Sequence, residues 1–174
     1  NIRTMNSMTY FKNFIVTSVF ISALFARQAL ESAKIYIKDK DWDKAAEKLI
    51  EALDHPKDRW EAAFHLGDKI YPRKQDWVSV RKYMDIASTA QKSLKIRPTR
   101  NDKRIPIDQA ITASITKSYN LIYYKASGYL QLLNRASSVE QRNALIDQAI
   151  QTSMNAKDLD PGQPGSYALI ALYS

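Results

Sequence analysis

Asp41-Trp42-Asp43-Lys44-Ala45-Ala46-Glu47-Lys48-Leu49-Ile50-Glu51-Ala52-Leu53, running on to Pro56, sets the reading of the whole chain. Trp42, Ala45, Ala46, Leu49, Ile50 and Leu53 recur at the three- and four-residue spacing of one α-helical face. Asp41 stands where a carboxylate accepts hydrogen bonds from the free N–H groups of a first turn. The closing phrase returns twice, as Ser93-Leu94-Lys95-Ile96-Arg97-Pro98 and as Ala156-Lys157-Asp158-Leu159-Asp160-Pro161. In each, a small residue leads through apolar and charged residues to a proline that stops the helix. One such helix cannot bury its apolar face alone, so copies stack on one another.

The same rhythm extends in both directions. It predicts a helix over about 27–38, with Leu30, Ala33 and Ile37 inward, before the helix at about 42–53. A third covers about 59–71 through Trp60, Ala63, Phe64, Gly67 and Ile70, with 72–76 as its turn. The fourth stripe is Trp77, Val80, Met84, Ala87, Gln91 and Leu94, ending before Pro98, and 99–106 reads as a linker. A long fifth helix, about 107–134, is apolar on more than one face. Ile111, Ile115, Ile122, Ala126, Tyr129 and Leu133 follow one line, with Tyr119, Tyr123 and Leu130 beside it. Such a helix is expected to be covered on two sides. Ser137-Ser138 opens a sixth helix to Leu159, with Ile146, Ala149, Ile150, Ser153 and Ala156 inward. The fold class is therefore all-α. Short connections within pairs favour antiparallel neighbours.

This arrangement resembles the tetratricopeptide-repeat family. The likeness is best at Ala33, Tyr36, Trp42, Ala45, Leu49, Ala52 and Pro56, with one residue missing before the proline. The second unit keeps Leu66-Gly67 and Pro98 but has a longer turn. The third keeps Ala149, Ala156 and Pro161 behind a first helix nearly twice the usual length, and Tyr167, Ile170 and Ala171 resemble the start of a fourth. The resemblance covers residues 27–174. It implies a right-handed solenoid of about three antiparallel helix pairs plus a truncated half-pair, whose first helices line a concave groove that holds a partner.

Composition narrows the function classes. The chain of 174 residues is 45% apolar, carries a formal charge of +8 and has no cysteine. Disulfides, thiolate metal sites and a cysteine nucleophile are thereby excluded. His55 and His65, the two histidines, lack the four-residue spacing of a helical metal pair. Gly67, Gly128, Gly162 and Gly165 are scattered and make no phosphate loop. No serine sits in a nucleophile elbow. The expectation is a protein that is not an enzyme and needs no metal or cofactor.

Both ends bear on location. From Met8, a single Lys12 precedes the apolar run Phe14–Ala26, which is followed by Arg27-Gln28. That order is expected of a secretory signal, whose apolar region spans about 7–15 residues. The run is short for a membrane span of roughly 20 residues. Residues 1–26 are therefore read as a signal peptide, or as an N-terminal hydrophobic anchor where uncleaved, and an exported, periplasmic or extracytoplasmic place follows. At the other end, 165–174 is apolar and reads as an uncovered half-helix of a truncated domain.

Two surface features are candidate binding sites. Lys92, Lys95, Arg97, Arg100, Lys103 and Arg104 form a basic patch opposed by Asp102 alone. Such a patch attracts an acidic protein, anionic lipid or nucleic acid; export disfavours nucleic acid. Tyr119, Tyr123 and Tyr124 with Lys117 and Lys125 would offer apolar area and hydroxyl handles to a partner lying in the groove. The reading is a scaffold or adaptor that binds a partner protein or peptide and performs no reaction. A membrane-tethered assembly subunit that contacts lipid through residues 8–26 is the second reading, and a basic RNA-associated repeat protein the third.

Overall fold

The computed structural model describes residues 27–98 and 103–174, so residues 1–26, read above as a signal peptide or anchor, and Arg100 lie outside the described residues. Residues 27–39 are helical (α1). They are followed by α2, Trp42–Ala52, and α3, Arg59–His65. A π-helical turn, Leu66–Ile70, carries α3 without a break into α4, Tyr71–Lys74. Next come α5, Trp77–Ser88, and two short strands, β1, Lys95–Ile96, and β2, Ile105–Pro106. The remaining helices are α6, Ile107–Leu133; α7, Val139–Leu159; and α8, Pro164–Tyr173. The protein is mostly helical with little strand.

Local chemistry explains where these helices start. Asp41 Oδ1 accepts from Lys44 N–H at 3.3 Å, Asp76 Oδ1 from Ser79 N–H at 3.0 Å, and Ser138 Oγ from Gln141 N–H at 3.1 Å. Each satisfies one of the four unpaired N–H groups of a first turn. The first two caps belong to one repeated turn. Lys40 and Gln75 both adopt left-handed backbone, at φ 61° and 53°, and each is followed by an aspartate and a tryptophan. Asp41 N–H then donates to the Tyr36 carbonyl and Asp76 N–H to the Tyr71 carbonyl. The two turns are 75 − 40 = 35 residues apart.

Packing follows the stripes, with shifts. Ala33, Ala45, Leu49, Ala52, Ala63, Phe64, Ile70, Val80, Met84 and Ala87 are buried in one core that continues into Ile111, Ile122 and Leu159. Small residues let the axes approach. A Cβ on Gly67 would lie 3.1 Å from Met84 Cε and 3.3 Å from the Val80 carbonyl, so glycine lets the π turn lie close against α5. A second cluster, Ala126, Ala149, Leu169 and Tyr173, joins α6, α7 and α8. Ala45 is fully buried whereas Lys44 is exposed. Ala45→Leu is therefore expected to lower stability by about 1–3 kcal/mol, and Lys44→Leu to stay within about 0.5. Equal urea midpoints would show that the buried face has been misassigned.

Contacts between elements fix directions. Ser114 on α6 donates to Asp68 at 2.7 Å, and further along Lys125 donates to Gln75 at 3.3 Å. The α3–α4 helix and α6 therefore run the same way. Gly165, at the start of α8, packs on the Tyr119 and Tyr123 rings, and the Tyr173 hydroxyl donates to the Ala126 carbonyl at 2.7 Å. So α8 also runs with α6. The return helices pack on one another, α5 against α7, where Arg81 donates to the Leu159 carbonyl at 3.2 Å.

Several sequence expectations are corrected. The fourth helix ends at Ser88, not near Leu94, because Ser88 and Thr89 hydroxyls take the Asp85 and Ile86 carbonyls and draw the chain off the helical path. Gln91 is consequently exposed. The linker contains β2, which pairs antiparallel with β1 in the register Lys95 with Pro106 and Ile96 with Ile105. The third helix continues past Tyr71 to Lys74, with Pro72 at the start of α4. Ile50 is 48% exposed and Leu130 38%, since α2 and α6 bury narrower stripes than their apolar content suggests. The last helix is not bare, for α6 and α7 cover its Leu169 and Tyr173; its Tyr167 and Leu172 stay exposed.

Candidate functional site

A groove of about 940 Å³ opens between α1, the α3–α4 helix and the β1–β2 ribbon. From α1 come Arg27, Leu30, Glu31, Lys34, Ile37 and Lys38. The α3–α4 helix sends Glu61, His65, Lys69 and Arg73, one residue in every four. A regular α-helix of 3.6 residues per turn overshoots by about 40° in four residues, so such a row winds off its face. The wider π turn at Leu66–Ile70 offsets that drift and keeps Lys69 and Arg73 in line with Glu61. The ribbon supplies Lys95, Ile96, Arg97 and Arg104, and Lys57, Asp58 and Trp60 complete the lining near the start of α3.

Charge is unevenly spread in the groove. Nine of its lining side chains are Lys or Arg and three are Asp or Glu. All three carboxylates are already engaged. Lys34 Nζ lies 2.8 Å from Glu61 and 2.9 Å from Glu31, and Asp58 is 2.8 Å from His55 Nδ1. Burial works against the Glu61 carboxylate, yet the nearby His65 and the Lys34 ammonium hold its pKa down at about 2. Burial likewise opposes charge on Lys34, and its contacts with Glu61 and Glu31 raise the pKa nonetheless. His65 Nε2 is 3.8 Å from Glu61, and its Nδ1 is buried without a hydrogen-bond partner among the described residues. Arg73 lies 3.7 Å over the Trp42 ring, while Lys69 pairs with Asp68 at 2.6 Å. Among the described residues, Lys38, Lys57, Lys95, Arg97 and Arg104 form no ion pair.

The structure divides the predicted basic patch. Lys95, Arg97 and Arg104 line the groove; Lys92 and Lys103 are exposed and do not; Arg100 lies outside the described residues. None of the tyrosine set enters this groove. Tyr119 is buried, Tyr123 stacks on it with ring centres 5.9 Å apart, and Tyr124 is 71% exposed. Tyr119 and Tyr123 thus form the seat of Gly165 and α8, a packing role. Lys117 is exposed, and Lys125 reaches Gln75. Sequence reasoning missed Lys34, Lys57, Lys69 and Arg73. The four-residue recurrence of charged groups from Glu61 to Arg73 was the available signal.

Among the described residues no helix is long and apolar enough to cross a membrane, and no three His or carboxylate side chains gather as a metal site. No protein-family model matches the chain, and no curated protein or solved structure shows significant similarity to it.

Proposed function

We propose that the chain is a tetratricopeptide-like repeat module, a right-handed solenoid that performs no reaction and holds a partner polypeptide. The groove between α1, the α3–α4 helix and the ribbon carries this reading, because its 940 Å³ is open and lined by the first helices of successive pairs. The repeated turn at Lys40 and Gln75, together with the common direction of α3–α4, α6 and α8, favours stacked repeats. The three groove carboxylates are spent on Lys34 and His55, and Arg73 lies over Trp42, an arrangement that favours binding over acid–base chemistry. Export through residues 8–26 completes the proposal; mass spectrometry of the mature N-terminus separates a released chain beginning near Arg27 from a tethered one.

The test is selection of peptides from a random display library on the full chain, followed by hydrogen exchange with each selected peptide bound. Protection is expected along α1, α3–α4 and β1. Peptides that protect only α6–α8, or a library that yields none, would remove the groove from consideration.

A further inference from the structure

We infer that the groove takes an acidic polypeptide segment carrying a bulky apolar residue among its carboxylates. This rests on the reading of the groove as a partner site, and names the chemistry of the partner. Apart from Arg73, which lies over Trp42, the groove cations that have no ion-pair partner among the described residues are Arg27, Lys38, Lys57, Lys95, Arg97 and Arg104; all are exposed, and they come from three separate parts of the chain. They surround an apolar interior: Leu30 and Ile96 are buried, and Ile37, Trp60 and Leu94 are half-buried. A ligand that satisfies both must bring separated negative charges with apolar matter between them. Charge complementarity of this kind speeds encounter and fixes register more than it adds raw affinity.

A nucleic acid fits less well. A continuous phosphate backbone crossing the groove would meet the carboxylates of Glu31, Asp58 and Glu61, whereas a polypeptide can place neutral residues opposite them. Base stacking needs open aromatic faces. Trp42 already has Arg73 over its ring, which leaves Trp60 as the one accessible indole in the groove. An anionic membrane surface is flat and cannot follow cations arranged around a recess.

The experiment uses the full chain and a labelled peptide that alternates glutamate with leucine and phenylalanine. Its glutamine counterpart, oligouridylate and phosphatidylglycerol vesicles are measured beside it. At low salt the acidic peptide is expected to bind at least about tenfold tighter than the glutamine peptide, with the advantage shrinking as salt rises. Lys57→Glu combined with Arg104→Glu should abolish that advantage, and Arg142→Glu, on the exposed surface of α7, should leave it intact. Both groove positions are exposed, so the double variant should keep its helical circular dichroism and urea midpoint. Equal affinity for the two peptides, lost on blocking the groove, would overturn the acidic specificity and leave the partner site standing. Tighter binding of oligouridylate or vesicles, lost in the double variant, would overturn both. Acidic-peptide binding that survives the double variant, or no binding at all, also overturns the inference.

Discussion

Phe64→Ala is expected to cost about 3–5 kcal/mol, the largest loss from any single truncation here. Phe64 is 1% exposed and the bulkiest of the fully buried side chains. It belongs to α3, which packs on both α2 and α5, so the cavity would open where two neighbours meet. Helical neighbours cannot close over a missing ring without moving whole axes, and the lost dispersion contacts add to the transfer term. Against a total stability of roughly 5–15 kcal/mol, such a loss unfolds a large fraction of the protein at mild denaturant. Urea titration gives the magnitude, and hydrogen exchange gives its reach. Protection should fall first in α1–α5, while α6–α8 hold longer through their separate cluster of Ala126, Ala149, Leu169 and Tyr173. A loss below about 1 kcal/mol would mean that the core around α3 is not packed as described.

Glu61→Gln should remove both stability and acid sensitivity. The Glu61 pKa is held at about 2 against an ordinary 4.5, a gap of 2.5. At about 1.36 kcal/mol per pKa unit, that gap corresponds to about 3 kcal/mol at most. The side chain is 23% exposed, so solvent screening trims the figure to about 2–3 kcal/mol. Because the folded pKa lies below the unfolded one, this contribution is complete above pH 4.5 and disappears as pH falls through about 2. In the variant, Lys34 keeps Glu31 alone, and the buried His65 loses its neighbouring carboxylate. Urea midpoints at neutral pH should drop, and the decline of the wild-type midpoint between pH 4.5 and 2 should flatten. Parallel pH profiles for the two proteins would show that Glu61 is not coupled to Lys34 in the folded state.

The helices were legible because their signal is local. The Trp42–Leu53 stripe, the Asp41 cap and the Ser138 start each need only a few consecutive residues, and all three stand in the structure save for Ile50, which turns outward. The ribbon was not legible, since two-residue strands have no period to detect and Leu94 continued the preceding helical stripe. Ser88 and Thr89 were the missed stop signal. The groove escaped for a different reason. Lys34, Lys57, Lys69 and Arg104 are distant in sequence, and only the packing of α1, α3–α4 and the ribbon brings them together. The tyrosines were read as a set, but adjacent residues on a helix point about 100° apart, so Tyr123 turns to its neighbour while Tyr124 faces water.

The turn at Leu66–Ile70 gives this segment a tolerance in length. A π turn is what a helix becomes when it holds one residue more than its ends allow. Loss of one residue there would let the helix relax to uniform winding with both ends held in place. Seven residues of regular helix turn through about 700°, about 20° short of two full turns, so Lys69 would stay on the wall with Glu61 and His65, and Arg73 over Trp42. Relatives of this chain that use the same wall should therefore tolerate one residue fewer between positions 66 and 70 with the row intact.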